Sequence, residues 1–132
     1  MYIKPSFITF EQAKLLKQKG LVAKSDRYWV QMTQVDYKEI SDYELDDLNR
    51  DVGIGGNLVI IRYHQWQVVE WLRLKYGIWI SVDMVYDEGK AMYWYSIREQ
   101  KENDTAICSN DEYDSPQEAY SAAFDYILKQ IT

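Results

Sequence analysis

The residues that decide the fold are Gln65-Trp66-Gln67-Val68-Val69-Glu70-Trp71-Leu72-Arg73-Leu74-Lys75-Tyr76-Gly77-Ile78-Trp79-Ile80-Ser81-Val82-Asp83-Met84-Val85-Tyr86. Up to Tyr76 the run has no glycine or proline and reads as a helix, and Gly77 is a fitting left-handed terminator. From Ile78 the pattern changes to alternation. Ile78, Ile80, Val82, Met84 and Tyr86 point one way, while Trp79, Ser81, Asp83 and Val85 point the other, giving a core face and a wetter face. Asp87-Glu88-Gly89-Lys90 then makes a turn, with Gly89 supplying the positive φ that a bulged four-residue connection needs. On the return run, Ala91 to Ile97, Met92, Trp94 and Ser96 oppose Tyr93, Tyr95 and Ile97. A helix therefore feeds a β-hairpin, and four of the five tryptophans lie within this unit.

The helix is apolar over much of its circumference. Trp66, Val69 and Tyr76 form one stripe, and Val68, Trp71, Leu72 and Leu74 fill much of the rest. Such a helix is expected to be covered on more than one side, by the sheet and by another helix or a second copy of the chain. Downstream, Thr105 to Ser109 is a candidate third strand, and Asn110 to Asp114 reads as an acidic loop. Ser115-Pro116-Gln117-Glu118 then combines an N-cap serine, a first-turn proline and a capping-box glutamate. Tyr120, Ala123, Phe124, Ile127 and Ile131 recur behind it at helical spacing, beside Ala119.

Upstream, Leu58 to Tyr63 is a short apolar run that periodicity leaves open between strand and buried connector. Asp51 to Asn57 is a glycine-rich loop, and Ser41-Asp42-Tyr43-Glu44 is a capping-box pattern opening a short helix to about Arg50. Tyr28 to Val35 reads as a strand. Thr9-Phe10-Glu11-Gln12 is a second capping box, whose helix carries Phe10, Ala13 and Leu16 on one face, widened by Leu15, and stops at Gly20. Pro5 disfavours helix at Lys4, so Met1 to Ile8 is expected to be extended. Lys14, Lys17, Lys19, Lys24 and Arg27 form a basic cluster, whose plain reading is a solvated face near a helix C-terminus and whose alternative is a patch for an acidic partner.

A chain of 132 residues fits one domain, and 47% hydrophobic with 27% charged residues is a globular composition. The net charge of −6 is lopsided: residues 1–66 hold nine Lys/Arg and nine Asp/Glu, while residues 67–132 hold six and twelve. Direct nucleic-acid binding is disfavoured by that sign. With one cysteine, Cys108, the chain forms no intramolecular disulfide. No stretch reads as a signal peptide, and none approaches the roughly 20 apolar residues of a membrane span. A cytoplasmic, membrane-free setting is the expectation.

The candidate chemistry is thin. His64 is the lone histidine, which excludes sites built on two His ligands. A Cys108–His64 dyad has no activating neighbour in the sequence, and Cys108 reads as a small buried hydrophobe in its strand. Gly53-Ile54-Gly55-Gly56 lacks the spacing and the Gly-Lys-Ser/Thr ending of a phosphate loop. Carboxylates cluster at Asp42, Glu44, Asp46, Asp47 and Asp51 and again at Asp111, Glu112 and Asp114, the raw material of an acid-based hydrolase or a metal site. Exposed runs of this kind are usually solvated or capping, and neither a catalytic residue, a metal ligand nor a cofactor is assigned. The candidate interaction surface is aromatic instead: Trp79, Asp83, Tyr93 and Tyr95 on the hairpin's wetter side, if a second helix does not cover them.

Residues 65–73, the run Tyr76-Gly77-Ile78-Trp79-Ile80 and the run Ser115-Pro116-Gln117-Glu118-Ala119-Tyr120-Ser121-Ala122-Ala123 resemble a family of short phage- and prophage-associated proteins of gut Bacteroidetes. The opening Ile8-Thr9-Phe10-Glu11-Gln12-Ala13-Lys14 is similar as well. About half the chain is covered, and residues 24–62 lie outside the resemblance. The family carries no assigned activity, so the resemblance implies a mobile-element origin and no functional residues.

The expected fold is therefore a single α+β domain over residues 1–132, an antiparallel sheet of three to four strands packed by three to four helices. The expected function is a non-enzymatic accessory protein that binds a protein partner or forms a homodimer. Two alternatives stay open. One is a small carboxylate-based enzyme or ligand-binding protein, betrayed by convergent acids in a cleft. The other is an acidic nucleic-acid mimic that blocks a host factor, which needs carboxylates spaced like phosphates along one face.

Overall fold

The computed structural model of the protein describes residues 6–21, 27–31, 37–41, 59–100 and 106–131. The chain groups into two compact units, Phe7–His64 and Gln65–Thr132 with Met1–Ser6. The class is α+β, with three helices among the described residues and strands that pair antiparallel throughout.

The unit Phe7–His64 begins with α1 (Phe10–Gln18), followed by β1 (Arg27–Gln31), β2 (Tyr37–Ser41) and β3 (Val59–Ile61) in the order β2-β1-β3. The capping box is complete: Thr9 Oγ1 accepts the Gln12 amide at 3.2 Å and Gln12 Oε1 accepts the Thr9 amide at 3.0 Å. The helix ends in a Schellman motif, with Leu21 N–H donating to Leu16 C=O, Gly20 N–H to Lys17 C=O, and Gly20 at φ 86°. Phe10, Ala13 and Leu16 are buried as their spacing demands, and Gln12 is buried with them because its amide serves the cap. Trp29, on the central strand, meets Phe10 edge-on with centroids 5.4 Å apart. The Arg62 guanidinium lies 4.2 Å from the Phe7 ring and 5.5 Å from Trp29. The apolar run after Asn57 resolves as a strand. β2 is a strand that its charged sequence, Tyr-Lys-Glu-Ile-Ser, does not announce. The helix expected after Ser41, the glycine-rich loop and the second half of the strand expected to Val35 lie outside the described residues.

The unit Gln65–Thr132 contains α2 (Gln65–Tyr76), β4 (Ile78–Asp87), β5 (Lys90–Glu99), β6 (Ile107–Cys108) and α3 (Pro116–Gln130), with strand order β4-β5-β6. Gly77 turns α2 directly into β4 at φ 66°, and its carbonyl accepts the Gln100 amide at 2.9 Å. The hairpin turn is tighter than expected. Asp87 pairs with Lys90, so only Glu88 and Gly89 remain in the loop, at φ 49° and 78°. Positive φ at both central residues is the type I′ signature, which matches the strand twist without a bulge.

Both helices contact the sheet, α2 against β4 and α3 against β4 and β5. Ile78, Ile80, Tyr95 and Ile97 are the buried strand residues on one face, and Ser96 is the buried residue on the other. From α3, Ala119, Ala123, Phe124, Ile127 and Leu128 are buried, the alanines allowing close approach to the strands. Its cap differs from a closed box: Ser115 Oγ accepts the Glu118 amide, but Glu118 reaches past the cap to the Asp114 amide at 3.1 Å. The buried stripe of α2 is Gln65, Val68 and Leu72, not Trp66 and Val69. α2 contacts both β4 and α3, as its apolar circumference requires, while Trp66 and Leu74 remain exposed.

Candidate functional site

Two features of the unit Gln65–Thr132 stand out, and both follow from its hairpin. The first is a cleft of about 620 Å³ between α2, the first turn of α3 and the start of β4. Its walls are mainly apolar and aromatic, formed by Trp66, Val69, Ile78, Trp79, Ile80 and Tyr120. Gln65 fixes one end, because its Nε2 donates to the Gln117 carbonyl at 3.0 Å while its own amide donates to Ser6 C=O at 2.8 Å. Glu70 and Arg73 form the polar wall. Arg73 Nε and Nη2 donate to the two Glu70 carboxylate oxygens at 2.7 and 2.9 Å, a forked pair of the strong kind. The same guanidinium stands 5.3 Å over the Trp79 ring. Among the described residues Glu70 is the one carboxylate that lines the cleft, and it is paired with Arg73.

The second feature is the outer half of the hairpin. Alternation governs burial only as far as Val82. Beyond it Met84, Val85 and Tyr86 are 57%, 37% and 69% exposed, although they point to opposite faces. On β5 the facing Ala91, Met92, Tyr93 and Trp94 are half-buried. One side of this half is braced by the loop before α3. Tyr93 and Tyr113 exchange two backbone hydrogen bonds of 2.8 and 2.7 Å, and Lys90 Nζ reaches Asp114 at 2.7 Å. Tyr95 stacks on Tyr113 at 6.3 Å. Burial raises both phenols above their ordinary value, and the hydrogen bond to Asp114, with its charge, raises the Lys90 ammonium.

The four surface residues anticipated from sequence do not form one patch. Trp79 pairs across from Arg98 and Asp83 from Trp94, which puts Trp79 and Asp83 on one face of the sheet; Tyr93 and Tyr95, opposite Met84 and Val82, lie on the other. Trp79 is half-exposed at 50%, Asp83 is exposed, Tyr93 is half-buried and Tyr95 is buried. The physical reason is parity: odd positions of β4 face even positions of β5 in this register. Cys108 is exposed rather than buried, because β6 is a two-residue outer strand with both side chains turned to solvent. Asp111, Glu112 and Asp114 are exposed, and no group of three metal-ligating side chains occurs among the described residues. The acids at Asp42–Asp51 lie outside the described residues. Sequence reasoning missed the roles of Trp66, Glu70, Arg73, Met84 and Tyr86. The i, i+3 spacing of Glu70 and Arg73 was the available signal for the pair.

No helix among the described residues is long and apolar enough to cross a membrane. No protein-family model, curated protein or solved structure matches the chain.

Proposed function

We propose that this chain is a protein-binding accessory module of phage or mobile-element origin that docks through the outer half of its hairpin. The observation that carries this reading is the run Met84-Val85-Tyr86, exposed on both faces of a strand whose inner half is buried on one face. Clustered exposed apolar and aromatic side chains mark recognition surfaces more often than scattered ones do. The two-residue turn and the Tyr113 brace hold that surface in one shape, which lowers the ordering cost of binding. The origin rests on the resemblance alone.

The test is capture of a protein partner by the intact chain and by a Met84→Ser/Tyr86→Ser double variant, with circular dichroism as the folding control. The reading expects a stoichiometric complex that the folded variant loses. Equal capture by both proteins contradicts it. The cleft between Trp66 and Trp79 supports a second reading, a site for a small apolar ligand, because its volume falls in the range typical of such sites.

A further inference from the structure

Among the described residues β4 pairs with β5 alone, and no described strand lies along its other edge. Natural edge strands are guarded by charged side chains, lysine above all, by proline, bulges or brevity, and the one charge within the span of β4 before its turn is Asp83. β4 is ten residues long, contains neither lysine nor proline, and pairs without a break from Ile78 to Asp87. Its backbone polarity follows from the turn. In a two-residue hairpin Asp87 and Lys90 form a hydrogen-bonded pair, so odd residues of β4 bond to β5 and even residues point outward. The hydrogen bonds agree: Gly77 accepts from Gln100, while Tyr93 turns away from β4 to bond Tyr113. Among the described residues, the amides and carbonyls of Ile78, Ile80, Val82, Met84 and Tyr86 therefore face an edge that no strand pairs.

We infer that the partner at this edge is a second copy of the chain, joined by antiparallel β4–β4′ pairing about a two-fold axis at Val82. This deepens the protein-binding reading above and rests on it. Three observations select a copy of the same chain and this register. First, a two-fold perpendicular to the sheet keeps each face continuous and pairs Ile78 with Tyr86, Trp79 with Val85, Ile80 with Met84 and Ser81 with Asp83 of the partner subunit. Every exposed apolar residue of the outer half thus meets an apolar residue of the inner half. An axis at Asp83 instead sets two carboxylates directly opposite each other, and an axis at Ser81 leaves Tyr86 without a counterpart on the strand. Second, Ile78 and Ile80 line the cleft, so the side chains of the partner's Met84 and the partner's Tyr86 enter it beside Trp66 and Val69. Third, charges match. The acidic turn Asp87-Glu88 arrives at Gly77, next to Lys75 in the last turn of α2. The cleft is complete only when the second copy supplies its hairpin.

The experiment uses the full chain carrying Cys108→Ser, so that no native thiol competes. Light scattering on a sizing column is expected to give twice the 15.7 kDa of one chain. Met84→Lys, an exposed substitution that leaves the monomer's core intact, is expected to return it to one chain mass while preserving the circular dichroism spectrum. Register is read by mild oxidation of Ser81→Cys and Asp83→Cys variants. A disulfide-linked dimer should form in the mixture of the two and not in either alone. Crosslinking of Asp83→Cys with itself, or a dimer that Met84→Lys leaves unchanged, overturns the register. A single-chain mass at the highest soluble concentration overturns the dimer. Should that monomer still capture a different protein in a Met84-dependent way, the protein-binding reading survives its own refinement.

Discussion

The inner and outer halves of one hairpin carry the same alternation and meet opposite fates. From Ile78 to Val82 the apolar face is sealed by helices; from Asp83 to Tyr86 residues of the same type and spacing stand in solvent. The difference lies in length. A ten-residue strand spans about 33 Å, whereas the twelve-residue α2 spans about 18 Å. The helix that feeds the strand cannot follow it to the end. Periodicity reports which side chains share a face, and element lengths report how much of that face can be covered.

The comparison predicts unequal costs for similar truncations. Ile97→Ala, at a position 1% exposed, should destabilise the fold by about 2–5 kcal/mol, whereas Met84→Ala should stay within about 0.5 kcal/mol for the monomer. Denaturant midpoints compare them directly, and equal costs would erase the distinction between the halves. Next in size are the two glycines that bound β4. Gly77→Ala should cost about 1–2 kcal/mol for its left-handed backbone, with a further contribution from a Cβ placed 3.4 Å from Gln100 Cβ. Gly89→Ala, at φ 78° with open space around it, should show the backbone cost alone. A smaller loss, about 1 kcal/mol, is expected for Ser115→Ala, which removes the acceptor for the Glu118 amide.

The smallest effect is pH-dependent and belongs to the brace of the outer half. Lys90, Tyr95 and Tyr113 all have folded-state pKa values raised above their unfolded values. A raised value means that the folded state holds the proton more tightly, so the contribution is complete below the unfolded pKa and is lost as pH rises through the folded one. Stability should therefore be flat up to about pH 10 with respect to these groups and decline above it. A Lys90→Met/Tyr95→Phe variant should decline less steeply, as read from unfolding midpoints across an alkaline series. An identical slope would remove these groups from the explanation.

Much of the architecture was legible because local signals agreed. Thr9 with Gln12, Ser115 with Pro116, and Gly20, Gly77 and Gly89 mark boundaries by backbone chemistry that tertiary contacts do not change. The turn at Glu88 was misjudged as bulged because Glu88 gives no hint of a positive φ; asparagine or aspartate there would have. The stripe of α2 was misjudged because tryptophan at position 66 weighs heavily in a hydrophobicity argument, while glutamine at 65, buried to bond Gln117, weighs against it. The candidate surface was half legible: Trp79 and Asp83 share a face, but the pairing register that sends Tyr93 and Tyr95 to the other side is fixed by the turn length. The exposure of Cys108 was not legible because the strand it sits in is two residues long and both of its side chains are exposed, so alternation gives no signal.

The most direct test is residue-resolved amide exchange along β4 as protein concentration is raised. If the open edge is where another copy pairs, the amides of Ile80, Val82 and Met84 should gain protection with concentration, while those of Trp79, Ser81 and Asp83, already bonded to β5, should stay protected throughout. Rapid exchange at the even positions over the whole concentration range would contradict the account.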